Sequence, residues 1–291
     1  MTKAKEVWTI GAILKWTGQY FAEKGVENPR LDAEVLLSNI LKKERIYLYV
    51  EFDKPLLPEE LASFRETIKK RVAKQPVAYI LGYKEFMGMD FKVTSDVLIP
   101  RPDTEILVEN ALHRLEKYEN PTFVDVGTGS GAIAVSVAKL SSNNATGIAV
   151  DISSQALAVA KTNAEKMAVA EKLEFRLGNL CEPVYNDKFT ALLSNPPYIP
   201  NDDIIKLTPE VRNEPHLALA GGEDGLDCYR KLIEQGRSLI IEGGFMMFEV
   251  GINQAESVVA IAEQYDELEI LEIIKDYSGI DRVVVIGKRE M

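Results

Sequence analysis

Apolar residues in the first part of the chain recur at spacings of three and four. Val7, Ile10, Leu14 and Phe21 form one such series; Leu61, Phe64, Ile68 and Val72 form another, in a segment opening at Pro58-Glu59-Glu60. That period marks one face of a helix. The second segment has acids at its start and Lys69, Lys70, Arg71 and Lys74 at its end, which suits the helix dipole. Residues 1 to about 80 therefore read as a small helical bundle. From Tyr83 to Ile99 the pattern turns extended: Phe86, Met89, Phe91, Val93, Val97 and Leu98 lie around Gly88 and a Thr94-Ser95-Asp96 turn, which predicts a β-hairpin. After Pro100-Arg101-Pro102 a helix is predicted from Asp103, with Val108, Ala111, Leu112 and Leu115 on one face.

From Thr122 onward, predicted strands alternate with predicted helices, the signature of a doubly wound, mostly parallel α/β sheet. Thr122–Val126 is a short β-branched strand that runs into Gly127-Thr128-Gly129-Ser130-Gly131 and then a helix pattern over Ala132–Ala138. The strand from Thr146 to Val150 delivers Asp151 at its carboxyl end, and the apolar run Phe189–Ser194 ends in Asn195-Pro196-Pro197-Tyr198. Ligands in such sheets bind beyond the carboxyl ends of the strands. The glycine loop, Asp151, Asn179 and Asn195 all follow predicted strands, so one crevice can collect them.

The Asn-Pro-Pro-Tyr segment suits the alkylation of a planar, conjugated NH2 group. Such a nitrogen is a poor nucleophile because its lone pair is delocalised, as in a peptide amide. Accepting both of its N–H hydrogens favours the transition state in which the lone pair localises. The Asn195 side-chain oxygen and the Pro196 carbonyl can both accept, Pro196 and Pro197 stiffen the loop without adding donors, and Tyr198 offers a flat face. Read alone, the same four residues are equally a rigid turn after a strand.

In the glycine loop, three glycines at alternate positions let the backbone turn sharply and approach a ligand closely. Asp151 is placed to accept from both ribose hydroxyls of a nucleoside. Gly127, Gly129 and Ala132 also satisfy a dinucleotide fingerprint, so a nicotinamide enzyme is a rival on this half of the site. The extra Gly131 and the Asn-Pro-Pro-Tyr set, which has no role in hydride transfer, favour S-adenosylmethionine and a methyltransferase.

With these residues in place the chain resembles the class I S-adenosylmethionine-dependent methyltransferases and, within them, the peptide chain release factor N(5)-glutamine methyltransferases. The resemblance is carried by Ile99-Pro100-Arg101-Pro102-Asp103-Thr104-Glu105, Val124 to Ala134, Asn195 to Tyr198, Glu214-Pro215 with Ala218-Leu219, and Gly221-Gly222-Glu223-Asp224-Gly225-Leu226-Asp227. Gly243-Gly244-Phe245 with Glu249, Gly251 and Gln254, and Asp281-Arg282-Val283, continue it. It implies a seven-stranded Rossmann-like sheet whose final strand is antiparallel, with Ile270–Ile274 and Asp281–Gly287 as the last two strands about Tyr277-Ser278-Gly279. Residues 1–82 would be a helical substrate-recognition domain, 83–100 a β-hairpin linker and 101–291 the methyltransferase domain.

The implied reaction is methyl transfer from S-adenosylmethionine, leaving S-adenosylhomocysteine, to the glutamine amide of a release factor Gly-Gly-Gln motif. By position, Gly127, Thr128, Gly129, Ser130 and Gly131 would line the methionine end of the cofactor and Asp151 would hold its ribose. Asn179 and Leu180 would lie beside the adenine, where an acidic residue followed by an aromatic or bulky one is usual in the family. Asn195 to Tyr198 would clamp the glutamine. Arg101, held between two prolines, reads either as an active-site residue or as an interdomain salt-bridge partner. His113 reads as a helix-face residue, and His216 as a loop residue or a border of the substrate channel.

A length of 291 residues fits two domains, and 46% hydrophobic with 27% charged residues is an ordinary globular composition. No signal, transit or membrane-spanning pattern is present, and Cys181 and Cys228 suggest neither a disulfide framework nor a metal site. A cytoplasmic monomer without metal is expected. The net charge of −11 argues against stable nucleic-acid binding. Residues 1–85 nevertheless carry 15 Lys and Arg against 12 Asp and Glu, and the remainder 19 against 33, which makes the N-terminal part the better docking surface for an acidic protein or RNA. An RNA guanine-N2 or DNA adenine-N6 methyltransferase with the same Asn-Pro-Pro-Tyr chemistry is the alternative reading.

Overall fold

The three-and-four periodicity of the first segment becomes helix α1 (Ile10–Glu23), whose N-cap Thr9 accepts from the Ala12 N–H at 3.2 Å. Val7 lies ahead of that cap and is 65% exposed, so the buried face begins at Ile10 and not at Val7 as the spacing suggested. α2 (Pro29–Leu41), α3 (Arg45–Val50), α4 (Pro58–Val72) and α5 (Val77–Leu81) follow. At the start of α4 the Glu60 carboxylate accepts the Leu57 N–H at 2.7 Å, satisfying one of the orphan donors of the first turn. Phe21, Leu14, Leu36, Leu37 and Phe64 are buried together in the centre of this bundle. Each contributes roughly 2 kcal/mol by leaving water.

The computed structural model describes residues 7–290, and its contacts divide into two units. The helical unit runs to Gly82 and also includes Pro209–Asn213; Tyr83–Thr208 and the chain from Glu214 onward form the second unit. Within the helical unit, buried Arg71 donates to Asp32 at 2.7 Å and to Glu210 at 2.8 Å.

The second unit opens with a hairpin, β1 (Tyr83–Phe86) and β2 (Met89–Lys92), turning at Met87-Gly88. The extended pairing ends at Lys92, short of the Ile99 predicted, and the rest of that stretch is irregular chain with Val93, Val97 and Ile99 buried. The reason lies at Asn163: its Oδ1 accepts the Lys92 N–H at 2.8 Å, and its Nδ2 donates to Lys92 O at 3.0 Å and Ser130 O at 2.8 Å. The side chain satisfies the backbone where a further ladder would have done so.

α6 (Pro102–Leu115), β3 (Thr122–Val126), α7 (Ala132–Leu140), β4 (Thr146–Asp151), α8 (Ser154–Lys166), β5 (Leu173–Leu177) and β6 (Phe189–Ser194) follow. After short α9 (Asn201–Ile204) and α10 (Pro209–Arg212) come α11 (Asp227–Leu239), β7 (Ile240–Glu249), α12 (Ala255–Ala262), β8 (Leu268–Lys275) and β9 (Asp281–Lys288). Among the described residues, seven strands form one sheet in the order β5-β4-β3-β6-β7-β9-β8. The last strand, β9, is antiparallel to both β7 and β8 and lies between them.

Period-two alternation assigns each strand residue to a face. Phe123, Ala191, Leu193, Phe245, Met247, Val283 and Val285 pack with α6 and α7, whereas Val124, Leu192, Met246, Phe248, Val284 and Ile286 pack with α11 and α12. The strand order reverses between β3 and β6, which places a topological switch point at their carboxyl ends.

Candidate active site

β3 and β6 pair in parallel, with Asp125 opposite Leu193, so the glycine loop and Asn195 leave the sheet at the same level on neighbouring strands. Ser194 Oγ donates to Val126 O at 2.6 Å and ties the two exits together. The N–H groups of Gly127 and Thr128 both donate to Val150 O at 2.9 Å, which brings the loop against the end of β4 and Asp151. Asp151 Oδ2 accepts the Gly129 N–H at 2.8 Å and Oδ1 accepts the Ser153 N–H at 2.9 Å. Burial pushes this carboxyl up despite those donors. Each oxygen keeps a lone pair for a further donor.

The three glycines differ in what they do. Gly127 and Gly129 have φ of +75° and +56°, and a Cβ on either would meet nothing within 4 Å; their backbone borders open space. Gly131, at φ +80°, would bring a Cβ to 3.1 Å from the Ala160 Cβ and 3.2 Å from Val135. Its role is the close approach of α7 and α8. The Thr128 hydroxyl is turned inward and donates to Asp125 Oδ2 at 2.6 Å, and Ser130 is buried. Open backbone, inward side chains and a carboxylate with lone pairs to spare fit the adenosine and amino-acid parts of S-adenosylmethionine.

Gly178 N donates to Asp151 O at 3.0 Å, which sets Asn179 beside the ribose-binding candidate. Asn179 is exposed, its Nδ2 3.3 Å from Glu182 Oε1. Leu180 takes a left-handed φ of 49° and packs on the α11 side of the core.

The Asn-Pro-Pro-Tyr loop is held from three sides. Asn195 Nδ2 donates to Thr104 Oγ1 at 3.1 Å, and Thr104 Oγ1 donates to Glu249 Oε2 at 2.6 Å. Behind the loop, Ile199 N donates to Leu219 O and Gly221 N to Ile199 O, a bridge so tight that a Cβ on Gly221 would stand 2.8 Å from the Pro197 carbonyl. From the end of β7, Gln254 Nε2 donates to Tyr198 O at 2.9 Å. Tyr198 is half-buried, and desolvation pushes its phenol up to about 12. Glu249 is 1% exposed; burial raises its carboxyl to about 7 against the opposing hydrogen bond from Thr104.

Arg101 forms an ion pair with buried Glu214, whose other oxygen accepts the Ile99 N–H at 3.1 Å. Both partners lie in the second unit, so this ion pair is internal to it. His216 sits exposed in a 3-10 turn, and His113 is exposed on α6. Thr104, Glu249, Asn163 and Gln254 received no role from the sequence. Their only signal was membership of the resembling segments, and for Asn163 not even that. Among the described residues no cluster of His, Cys, Asp or Glu is placed to hold a metal ion, and no helix is long and apolar enough to cross a membrane.

The sheet order with paired loops at its switch point is the architecture of a methyltransferase domain. A methyltransferase from Pyrococcus furiosus shares the fold, with a TM-score of 0.52 over 80% of this chain and 100% of that one at 15% identity. The family described as methyltransferase small domain matches residues 102–214, and that described as PrmC N-terminal domain matches residues 12–82. The chain is 46% identical over 285 residues to the release factor glutamine methyltransferase of Geobacter sulfurreducens, covering 98% of each chain. It is 42% identical over 269 residues to that of Moorella thermoacetica, covering 92% of this chain and 95% of the relative. The chain belongs to the release factor glutamine methyltransferase family.

Proposed function

We propose that this protein methylates the side-chain amide nitrogen of the glutamine in the Gly-Gly-Gln motif of peptide chain release factors, with S-adenosylmethionine as donor, and so modulates translation termination. The observation that carries the reading is the hydrogen bond from Asn195 Nδ2 to Thr104, because it leaves Asn195 Oδ1 to accept from an incoming amide. Asn195 Oδ1 and the Pro196 carbonyl take the two N–H bonds of the glutamine, and Tyr198 stacks on its plane. Two accepted hydrogen bonds draw the amide lone pair onto nitrogen, which makes it nucleophilic in the transition state.

S-adenosylmethionine would supply a methyl group on a sulfonium, with S-adenosylhomocysteine as the product. Gly127, Gly129 and Asp151 would hold it, with Asn179 and Leu180 beside the adenine; Thr128, Ser130 and Gly131 shape the loop. With its phenol at about 12, Tyr198 stays neutral and serves as a surface instead of a base. No side-chain base is needed, since the alkylated nitrogen becomes acidic and loses its proton to water. Proximity and amide orientation carry much of the rate. Arg101, fixed by Glu214, borders the substrate side and acts on Tyr198 electrostatically.

In the helical unit, Trp16, Tyr20, Leu61 and Ile68 line a cleft of about 540 Å³ together with Arg65 and Lys69. This apolar and basic surface supports a role of the helical unit in docking the protein substrate. A cytoplasmic monomer that uses no metal belongs to the same proposal.

Mass spectrometry of purified release factor incubated with the protein and S-adenosylmethionine tests the reading. A single added methyl on the Gly-Gly-Gln glutamine, lost with Asn195→Ala while cofactor affinity is kept, is the expected result. Methyl appearing on RNA or DNA and on no release factor would overturn the substrate.

A further inference from the structure

The amide of Asn195 has two ends, and only one of them suits the reaction. With Oδ1 toward the substrate it accepts an N–H; with Nδ2 outward it meets the same N–H as a second donor and repels it. The side chain cannot settle this by shape, because the two ends are nearly isosteric. Its neighbours must decide.

Those neighbours form a directional chain. Glu249 ends β7 on the face that carries Phe245 and Met247, and Thr104 stands in the first turn of α6, which packs there. An ionised carboxylate only accepts, so the single Thr104 proton goes to Glu249 Oε2, at 2.6 Å. The Thr104 oxygen is then left with lone pairs alone on its Asn195 side, and Nδ2 must be the end that faces it, at 3.1 Å. We propose that Thr104 and Glu249 are positioning residues that set which end of the Asn195 amide faces the glutamine. This rests on the reading of Asn195 as the amide clamp.

The chain can also run backwards. Glu249 is 1% exposed, with its carboxyl raised to about 7 by burial. A protonated Glu249 donates to Thr104, the Thr104 proton becomes free to point at Asn195, and the amide is then favoured in the flipped orientation. The groups around Glu249 are Thr104 and Asp103 on α6, Asn195 and Tyr198 after β6, Arg282 on β9, and Tyr229 on α11, whose hydroxyl donates to Glu249 O at 2.7 Å. Arg282 and a side-chain hydrogen bond from Asn195 itself favour the ionised form, the latter also drawing Nδ2 to this side, and Asp103 opposes it. Arg282 is itself shared with Asp276, at 3.0 Å, and Asp103, at 3.2 Å, so it does not hold Glu249 ionised under all conditions.

The test uses Thr104→Val, Thr104→Ser and Glu249→Gln in the full chain, all close in shape to the native residues, with S-adenosylmethionine affinity measured for each as the check on folding. Thr104→Val should lower kcat for release factor methylation by about 100-fold, the scale of a misoriented reacting group, with cofactor affinity unchanged. Thr104→Ser should restore most of it. The wild-type kcat should fall on the acid side of neutrality, and Glu249→Gln, slower throughout, should lose that dependence.

Independently of any substrate, the side-chain NH2 resonances of Asn195 in 15N-labelled protein, assigned by their loss in Asn195→Asp, should titrate near neutral pH in the wild type and not in Glu249→Gln. A Thr104→Val enzyme with wild-type kcat, or Asn195 resonances indifferent to pH, would overturn the positioning role. A wild-type protein that methylates no release factor would instead remove the substrate reading, and the resonance titration would still decide the relay.

Discussion

Gln254 joins the end of β7 to the substrate loop: its Nε2 donates to the Tyr198 carbonyl at 2.9 Å while its Oε1 accepts the Gly251 N–H at 3.0 Å. One side chain thus satisfies both a backbone acceptor and a backbone donor. Gln254→Leu leaves both unpaired, at a cost of about 2 kcal/mol. The expected outcome is a lower melting temperature together with a loss of kcat larger than the loss of cofactor affinity, read by thermal unfolding and by steady-state methylation. Equal turnover in the variant would mean that the loop is held without Gln254.

Two glycines with nearly the same backbone give a matched pair. Gly225 has φ +79° and a Cβ there would collide with the Tyr198 carbonyl and the Gln254 amide; Gly279 has φ +82° and open space around it. Both alanine variants carry left-handed backbone strain of about 1 kcal/mol. Gly279→Ala should stop there, with methylation intact. Gly225→Ala should lose activity well beyond its loss of stability, because the collision is with the Asn-Pro-Pro-Tyr loop itself.

Asp151 should report on the cofactor alone. Asp151→Asn removes the charge and exchanges one acceptor for a donor facing backbone N–H groups. Calorimetry should show S-adenosylmethionine binding weakened by about 3 kcal/mol, the loss of hydrogen bonds to a charged group. Turnover at saturating cofactor should suffer less. Unchanged affinity would contradict the ribose assignment.

Asp125 gives a pH signature in stability. It is fully buried, and desolvation raises its carboxyl to about 7, against about 3.9 unfolded. The folded state therefore binds more protons than the unfolded state between those values. Stability from the protonated form is complete below about pH 4 and is lost as pH rises through about 7. Asp125→Asn does not titrate, and its side-chain oxygen can still accept from Thr128 and Ala134. Melting temperatures at mildly acidic and mildly alkaline pH should show the variant gaining on the wild type as pH rises. A constant difference would mean the carboxyl titrates normally.

Much of this protein is readable along the chain, because the signals are local. The period of Leu61, Phe64, Ile68 and Val72 makes α4, and Phe64 and Ile68 are buried as that period requires. The strand that runs into Gly127 and the strand that delivers Asp151 pair directly in register as β3 and β4. Asn195-Pro196-Pro197-Tyr198 suits an amide clamp through its residue types, and it takes the glycine loop upstream to favour that over a plain turn. Local signals also mislead at element ends: the apolar spacing begins at Val7, ahead of the Thr9 cap where the helix starts, and the extended pattern beyond Lys92 outlasts the pairing that Asn163 terminates.

What the sequence determined by itself is the set of parts: helices first, an alternating α/β sheet after, a glycine loop, an acid behind it, and the Asn-Pro-Pro-Tyr tetrapeptide. These depend on backbone preference and on period, which neighbours in sequence decide. What only the tertiary structure decided is which parts meet. Parallel pairing of β3 with β6 sets Asn195 beside the glycine loop, and α6 crossing the end of β7 sets Thr104 between Asn195 and Glu249. The same packing turned Arg101 to Glu214, within its own unit. A hydrogen bond acts over about 3 Å in space and has no period in sequence, so partners separated by a hundred residues leave no trace until the chain is folded.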